Sequence, residues 1–220
     1  MKIAALSRLA VVILALAACA PIREDATALP PPLALKAVMV DRASPNYEIA
    51  NLEIAVKPEG QGGISRGMVV RITEPVTVYR LWSGPQAVNA HGQTNRMGQW
   101  WSYDAPSGQR DRYRVDYEIC NAWNDLTWVA SCTLKAGAVV AIGPGQSVSE
   151  DACDQPGEAY PANKFKWQIY VDKAWARPQE LECPNPAHDY ANDPTDISKP
   201  LGLGAGGHVA DKTVPTKLPE

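Results

Sequence analysis

The chain has 220 residues, and its 21 Lys and Arg against 24 Asp and Glu give a formal net charge of −3 at pH 7, which suggests no nucleic-acid-binding role. A chain of this length suits one domain with tails better than two small domains. Seven Trp and eight Tyr against a single Phe predict a core whose large side chains are partly polar.

The chain begins like a secretory signal. Two basic residues precede an apolar run from Leu9 to Ala18, which is too short to span a bilayer as a helix. The block Leu16-Ala17-Ala18-Cys19 resembles the lipobox of bacterial lipoproteins, in which the Cys becomes the lipidated first residue of the mature protein. The resemblance implies that residues 1–18 are removed and that Cys19 carries the lipid. The alternative is an ordinary secretory signal with an incidental Cys.

The same resemblance implies a location. In such lipoproteins the residue after the Cys helps to select the membrane, and Ala20 is not the Asp associated with inner-membrane retention. We therefore expect a cell-envelope protein that is held at the membrane by its lipid, with the outer membrane favoured over the inner one. Loss of the signal would leave 19 basic and 24 acidic residues, which again favours no nucleic-acid partner.

Four cysteines remain after the lipobox: Cys120, Cys132, Cys153 and Cys183. An even number in an oxidising compartment predicts two disulfides, and four cysteines allow three pairings that a sequence does not separate. We favour Cys132 with Cys153, which closes a local loop, and Cys120 with Cys183, which pins the end of the chain. No CxxC pair is present, so we expect no metal site.

Composition divides the mature chain into three parts. Residues 19–45 are rich in Pro and predict an extended tether. Residues 46–183 contain the alternating apolar patterns of strands, and residues 184–220 are rich in Pro and Gly, which predicts a disordered tail. The expected fold class is mainly β (β-rich α+β), with one disulfide-stapled sheet domain and few short helices.

The first three predicted strands run from Leu52 to Val56, from Met68 to Thr73 and from Glu74 to Trp82. Period-two alternation in the third strand places Arg80 on a face with three apolar residues. Burying an unpaired guanidinium costs several kcal/mol, on the order of the values for buried ions. Arg80 must therefore reach a carboxylate, a carbonyl, a bound anion or the water at the strand end, and it is a candidate site residue.

A polar loop that ends near Met97 separates this strand from Trp100 and Trp101. Adjacent residues of a strand face opposite ways, so one of these two tryptophans can enter the main core. The other needs a second layer, a ligand or a partner. Both are therefore candidate ligand-stacking residues.

The next predicted strand runs from Arg112 to Cys120, and we expect its charged residues Asp116 and Glu118 to form a solvated face. Strands are also predicted from Trp128 to Leu134 and from Gly137 to Ile142. The glycines of Gly143-Pro144-Gly145 are not followed by the Lys and helix of a phosphate-binding loop, so we predict a turn there.

The last predicted strand runs from Lys164 to Val171. It carries alternate apolar residues, with Gln168 on its polar face. A short helix is predicted between Asp172 and Leu181.

An early strand with Tyr79-Arg80, a middle strand with Gly98-Gln99-Trp100-Trp101-Ser102 and a late strand with Gln168 resemble the three-part layout of the ADP-ribosyltransferase and NAD-glycohydrolase superfamily. The resemblance covers about residues 75–172. It implies that Arg80 binds the pyrophosphate of NAD, that Trp100 or Trp101 stacks on the nicotinamide, and that Gln168 hydrogen-bonds the nicotinamide ribose.

The resemblance is incomplete around Gln168. The Glu-x-Glu pair of Arg-directed transferases is absent there, and a Gln lacks the charge of a Glu. Hydrolysis of the nicotinamide–ribose bond is therefore favoured over transfer to a protein. NAD would be a substrate, and no resident cofactor is expected.

A different class of function also fits. A tethered, acidic, disulfide-stapled β domain is a common design for non-catalytic envelope lipoproteins that bind a protein or glycan partner through exposed Trp and Tyr. This is the first hypothesis, and an NAD glycohydrolase or toxin domain is the alternative. Geometry discriminates between them, because only the enzyme needs Arg80, one of the two tryptophans and Gln168 in one cleft.

Overall fold

The structure is a computed structural model that describes residues 28–184, 187–191 and 202–203. The predicted signal segment and the lipidation site Cys19 lie outside these residues, as does most of the predicted tail. Among the described residues, no helix has both the length and the apolar composition needed to cross a membrane.

Strands dominate the described chain, and the helices are short. The strands are β1 (Ala37–Met39), β2 (Met68–Ile72), β3 (Val76–Trp82), β4 (Trp100–Trp101), β5 (Trp128–Leu134), β6 (Val139–Pro144), β7 (Trp167–Tyr170), β8 (Leu181–Glu182), β9 (His188–Ala191) and β10 (Gly202–Leu203). The α-helices are α1 (Pro31–Ala34), α2 (Leu52–Ala55), α3 (Arg110–Asp116) and α4 (Glu150–Cys153), with 3-10 turns at Tyr47–Ala50 and Ala174–Ala176.

The strands form two antiparallel sheets. One has the order β1-β2-β6-β7-β4, and the other has the order β10-β9-β5-β3, with β8 also paired to β5. The main core lies between them and contains apolar residues from both sheets, among them Val70, Val78, Ile142 and Ile169. The predicted fold class is therefore confirmed: the protein is β-rich, has few short helices and carries two disulfides.

A short segment around β4 joins the two sheets. Trp100 and Trp101 pair with Tyr170 and Ile169 of β7 in the first sheet. The next residue, Ser102, exchanges two backbone hydrogen bonds with Tyr79 of β3 in the second sheet, at 2.7 and 2.8 Å. This crossing brings the β3 and β7 residues close together.

The strand predicted from Arg112 to Cys120 is wrong, because this stretch begins as helix α3. Tyr113 and Tyr117 are four residues apart, so their rings lie on one helical face, with centroids 4.5 Å apart, and both are buried. Arg112 and Asp116 form an i,i+4 ion pair on the outer side. Alternating and helical spacing both fit these residues, and packing of the two rings selects the helix.

Two other predictions are corrected. Leu52–Ala55 forms a helical turn after Asn51, which adopts a left-handed conformation, and the turn buries Ala55 while leaving Ile54 exposed. Gly143 and Pro144 continue strand β6, which pairs with β7, instead of forming a turn. The glycines there allow close packing: a Cβ at Gly145 would lie 2.1 Å from a carboxylate oxygen of Glu118.

The strands predicted from Trp128 to Leu134 and from Gly137 to Ile142 are present as β5 and β6, but they belong to different sheets. The turn between them therefore leads the chain from one side of the main core to the other. The strand predicted from Lys164 to Val171 is present as the shorter β7, and it is buried on both faces because its polar-face residues Gln168 and Tyr170 are covered as well.

The disulfides join Cys120 to Cys153 and Cys132 to Cys183, so the pairing favoured from the sequence is wrong. Cys132 lies on β5, whose partner strand β8 ends one residue before Cys183, and strand pairing therefore brings these two sulfurs together. Cys120 follows α3 and meets the end of α4. Sequence distance was a poor guide because the sheet places residues 51 positions apart side by side.

Paired structure extends beyond the limits 46–183. Leu33 of α1 is fully buried in the main core, and β1 pairs with β2, although both elements lie in the stretch predicted as a tether. Likewise β9 pairs with β5 within the stretch predicted as a tail. Residues 19–27 and most of 184–220 lie outside the described residues, so a tether and a tail there remain predictions.

Candidate functional site

A pocket of about 290 Å³ opens where the two sheets meet. Arg80 from β3, Trp100 and Trp101 from β4 and Gln168 from β7 all line it. Helix α3 and the segment that follows it form the rest of the lining, here called the outer wall, through Tyr113, Tyr117, Glu118, Ile119, Trp123 and Asn124. The four residues chosen from the sequence therefore line one cleft, which is the geometry that the enzymatic hypothesis requires.

Arg80 is half-buried beside the main core. Its Nε donates to the backbone carbonyl of Asn95 at 3.1 Å, and a terminal nitrogen donates to the carbonyl of Trp100 at 2.9 Å. Among the described residues no carboxylate pairs with it. Burial lowers its pKa to about 10, so the side chain is still a cation at neutral pH. The guanidinium is thus held in place with donors left for an anion.

The side chains of Trp100 and Trp101 lie on opposite faces of the sheet, as those of adjacent strand residues must. Trp101 is buried in the main core, and its indole N–H donates to the carbonyl of Gly98 at 2.8 Å. Trp100 packs on the other face of the sheet against Tyr170, with ring centroids 4.8 Å apart, and remains partly exposed at the pocket. Trp100 is therefore the better placed of the two to contact a ligand.

Gln168 lies at the base of the pocket and is buried. Its amide nitrogen donates to a carboxylate oxygen of Glu118 at 3.0 Å and to the carbonyl of Tyr117 at 3.3 Å. No hydrogen bond from a described residue reaches its amide oxygen. The protein therefore occupies both donors of the amide and leaves an acceptor for a ligand.

Glu118 is the pocket residue that the sequence analysis missed. The alternating pattern predicts a solvated position for Glu118, yet it is 1% exposed and adopts a left-handed backbone conformation with φ of 49° at the end of the α3 turn. Burial raises its pKa to about 8, while hydrogen bonds from the backbone of Asn163 and from Gln168 act in the opposite direction. No pattern in the sequence indicates this, because the left-handed turn that directs the side chain inward is not a glycine.

Two aromatic residues complete the wall. Trp123 is 45% exposed at the edge of the pocket, where its ring packs over Gly62. Among the described residues the buried Tyr117 hydroxyl has no hydrogen-bond partner. The described residues contain no group of three or more His, Cys, Asp or Glu side chains that could hold a metal ion. The described chain thus offers cationic, amide and aromatic groups at this site.

We predict that Gly98→Ala displaces the Arg80 guanidinium without changing its chemistry. A Cβ at position 98 would lie 2.3 Å from the guanidinium carbon, so the side chain must leave its two carbonyl partners. The free energy of unfolding should fall by about 3 kcal/mol, because two partly buried hydrogen bonds from a charged group are lost. Binding of an anionic ligand, measured by calorimetry, should weaken as much as in Arg80→Ala. Unchanged binding would contradict a ligand role for Arg80.

No protein-family model matches the chain, and no curated protein matches it. Among solved structures, one described as "Structure of Tne2 in complex with Tni2" is similar to this chain, with a TM-score of 0.38 and 11% sequence identity. The alignment covers 60% of this chain and 97% of that chain. Similarity at this level carries no conclusion about function, which must come from the pocket itself.

Proposed function

We propose that this protein is an NAD glycohydrolase, which cleaves the bond between nicotinamide and ribose. One observation carries the proposal: Arg80, Trp100 and Gln168, which come from three separate strands, line one pocket. Separate surfaces for these side chains would have favoured a non-catalytic partner-binding protein instead. NAD is the substrate in this proposal, and no resident cofactor is invoked.

The size of the pocket limits how NAD would bind. A volume of about 290 Å³ is at the lower end for ligand sites and holds a ring with its sugar, not a whole dinucleotide. Nicotinamide would stack on Trp100 inside the pocket. The pyrophosphate would lie against Arg80, whose planar guanidinium suits the two-pronged contact that phosphates favour.

Gln168 would act at the reacting sugar. Its free amide oxygen can accept a hydrogen bond from the nicotinamide ribose, and positive charge develops on that ribose as the glycosidic bond breaks. An oxygen dipole aimed at this charge stabilises the transition state more than the ground state. Because an amide supplies less charge than a carboxylate, water is the favoured acceptor.

The test is incubation of the purified, oxidised protein with NAD, with nicotinamide measured by chromatography and binding by calorimetry. Arg80→Ala should weaken binding roughly 10-fold to 100-fold, the loss expected for hydrogen bonds to a charged group. Arg80→Lys should restore little, because an ammonium cannot make the two-pronged contact. The matched control is Arg71→Ala, which removes an exposed arginine of strand β2 and should leave both measurements unchanged.

Gln168→Ala should behave differently from the arginine variants. It should retain most of the affinity for NAD and lose turnover, because its contact matters as charge develops on the ribose. Neither binding nor nicotinamide release by the wild-type protein would end the enzymatic proposal. The partner-binding lipoprotein, which uses the exposed Trp123 to contact a protein or glycan, would then take its place.

We also propose that the enzyme is anchored in the cell envelope by lipid on Cys19. The lipobox supports this, and two disulfides fit a compartment outside the cytoplasm. Mass spectrometry of the mature protein should find a lipid-modified Cys19 at the N-terminus. Cys19→Ser should leave the protein unprocessed or release it from the membrane fraction. An unmodified N-terminus at another residue would contradict the anchor.

A further inference from the structure

Glu118 lies beside Gln168 in the lining of the pocket, and the two side chains are hydrogen-bonded. One of its carboxylate oxygens accepts a 2.6 Å hydrogen bond from the backbone N–H of Asn163, and the other accepts the 3.0 Å hydrogen bond from Gln168. Both oxygens accept hydrogen bonds here, and above the raised pKa of about 8 the carboxylate is ionised and has no proton to donate. The backbone of Gly145 makes room for this carboxylate, since any Cβ there would overlap it.

These contacts determine which end of the Gln168 amide faces the ligand. A primary amide has a donor end and an acceptor end of nearly the same shape, so packing alone does not choose between them. Above its raised pKa of about 8, Glu118 is ionised and can pair only with the nitrogen. The carbonyl of Tyr117, which is also an acceptor only, makes the same selection at 3.3 Å.

We propose that Glu118 is a positioning residue that fixes Gln168 with its amide oxygen toward the substrate. This inference rests on the proposed NAD glycohydrolase function for its catalytic consequence. With the amide reversed, an NH₂ group would face the ribose, and its positive end would oppose the charge that develops there. Glu118 acts through Gln168 in this proposal, because its two oxygens accept hydrogen bonds from the backbone of Asn163 and from Gln168.

Glu118→Gln tests the proposal with almost no change in shape. The new amide must still accept from Asn163, so it directs its own NH₂ toward Gln168. Two NH₂ groups cannot pair, and Gln168 reverses to accept with its oxygen. At about pH 9, above the raised pKa of Glu118, the wild-type carboxylate is ionised, and nicotinamide release by the variant should be at least 10-fold lower in kcat, with little change in KM.

The double variant Glu118→Gln with Gln168→Glu supplies the decisive comparison. A Glu at position 168 accepts from the new amide with one oxygen and presents the other to the pocket. Activity should return to at least half the wild-type value. A purely structural role for Glu118 predicts no rescue, so a double variant as inactive as the single one overturns the proposal, as does full activity in Glu118→Gln alone.

The matched control is Asp172→Asn. Asp172 also accepts a hydrogen bond from a Gln amide, that of Gln99 at 3.1 Å, but neither residue lines the pocket. Nicotinamide release by this variant should equal that of the wild type. A fall as large as in Glu118→Gln would overturn the specific role of Glu118.

A second measurement needs no substrate and separates this inference from the proposed function. In the wild type both Gln168 amide protons are hydrogen-bonded to the protein, so they should exchange slowly with solvent in NMR spectra. In Glu118→Gln they should face the pocket and exchange at least 10-fold faster. If the wild type releases no nicotinamide, the proposed NAD glycohydrolase function is wrong. Amide exchange alone then tests whether Glu118 fixes the orientation of the Gln168 amide. Equal exchange in both proteins would overturn it.

Discussion

The free energy of unfolding should fall as the pH rises from 4.5 to about 8, and Glu118→Gln should remove most of this fall. Burial raises the pKa of Glu118 from 4.5 to about 8. Between these values the folded chain holds a proton that the unfolded chain has lost, so each pH unit costs the folded state about 1.4 kcal/mol. The contribution is complete below the unfolded pKa and is lost as the pH rises through the folded pKa.

Urea unfolding followed by tryptophan fluorescence at about pH 5, 6, 7 and 8 measures this dependence. The difference between the wild type and Glu118→Gln isolates Glu118 from other titrating groups. Gln168→Ala should act in the opposite direction, because the lost hydrogen bond favours the ionised form and its removal raises the Glu118 pKa further. Parallel curves for the wild type and Glu118→Gln would contradict the burial of this carboxyl.

Opening the Cys120–Cys153 disulfide should lower the free energy of unfolding by about 4 kcal/mol and should also abolish nicotinamide release. The bond closes a loop of 33 residues, and Cys132–Cys183 closes one of 51, so each restricts the unfolded chain by about 4 kcal/mol. The two bonds differ in what they hold. Cys120 lies two residues after Glu118 and ties the outer wall of the pocket to α4, whereas Cys132 and Cys183 line no part of it.

Two double variants separate stability from activity. Cys120→Ala with Cys153→Ala, and Cys132→Ala with Cys183→Ala, should show similar losses in urea unfolding. Only the first should lose nicotinamide release under conditions where both remain folded. Thiol titration of the unfolded, unreduced wild type should find neither pair free. Four reactive thiols, or equal activity in the two variants, would contradict these assignments.

The parts of the fold that were predictable are those in which local pattern and long-range pairing agree. Val76, Val78 and Trp82 alternate after Pro75, and β3 forms as that pattern indicates. The alternation from Tyr113 to Ile119 is equally regular, but Tyr113 and Tyr117 also have helical spacing, and the packing that chooses between the two periods involves residues far away in the sequence. Disulfide pairing depends on sheet order for the same reason.

The candidate site divides in a similar way. Arg80 stood out because a charge on an apolar strand face needs a partner, and Trp100 with Trp101 stood out because adjacent strand residues face opposite layers. Glu118 gave no such signal. The Glu118 side chain points inward because of the left-handed turn after α3, the space above Gly145 and the hydrogen-bond donors of Asn163 and Gln168. No local sequence pattern indicates any of these three conditions.

The bond between Tyr79 and Ser102 has a consequence for how a ligand enters and leaves. Arg80, Trp100 and Gln168 lie on strands β3, β4 and β7, which are joined by backbone hydrogen bonds through Ser102 and through the pairing of β4 with β7. These three strands therefore cannot move apart without breaking those hydrogen bonds. In the wall from Tyr117 to Trp123, Tyr117 and Glu118 are hydrogen-bonded to Gln168, whereas the Trp123 indole at the edge of the pocket is exposed. Association and release rates should therefore follow the swing of Trp123, and Trp123→Ala should speed both while altering equilibrium affinity far less.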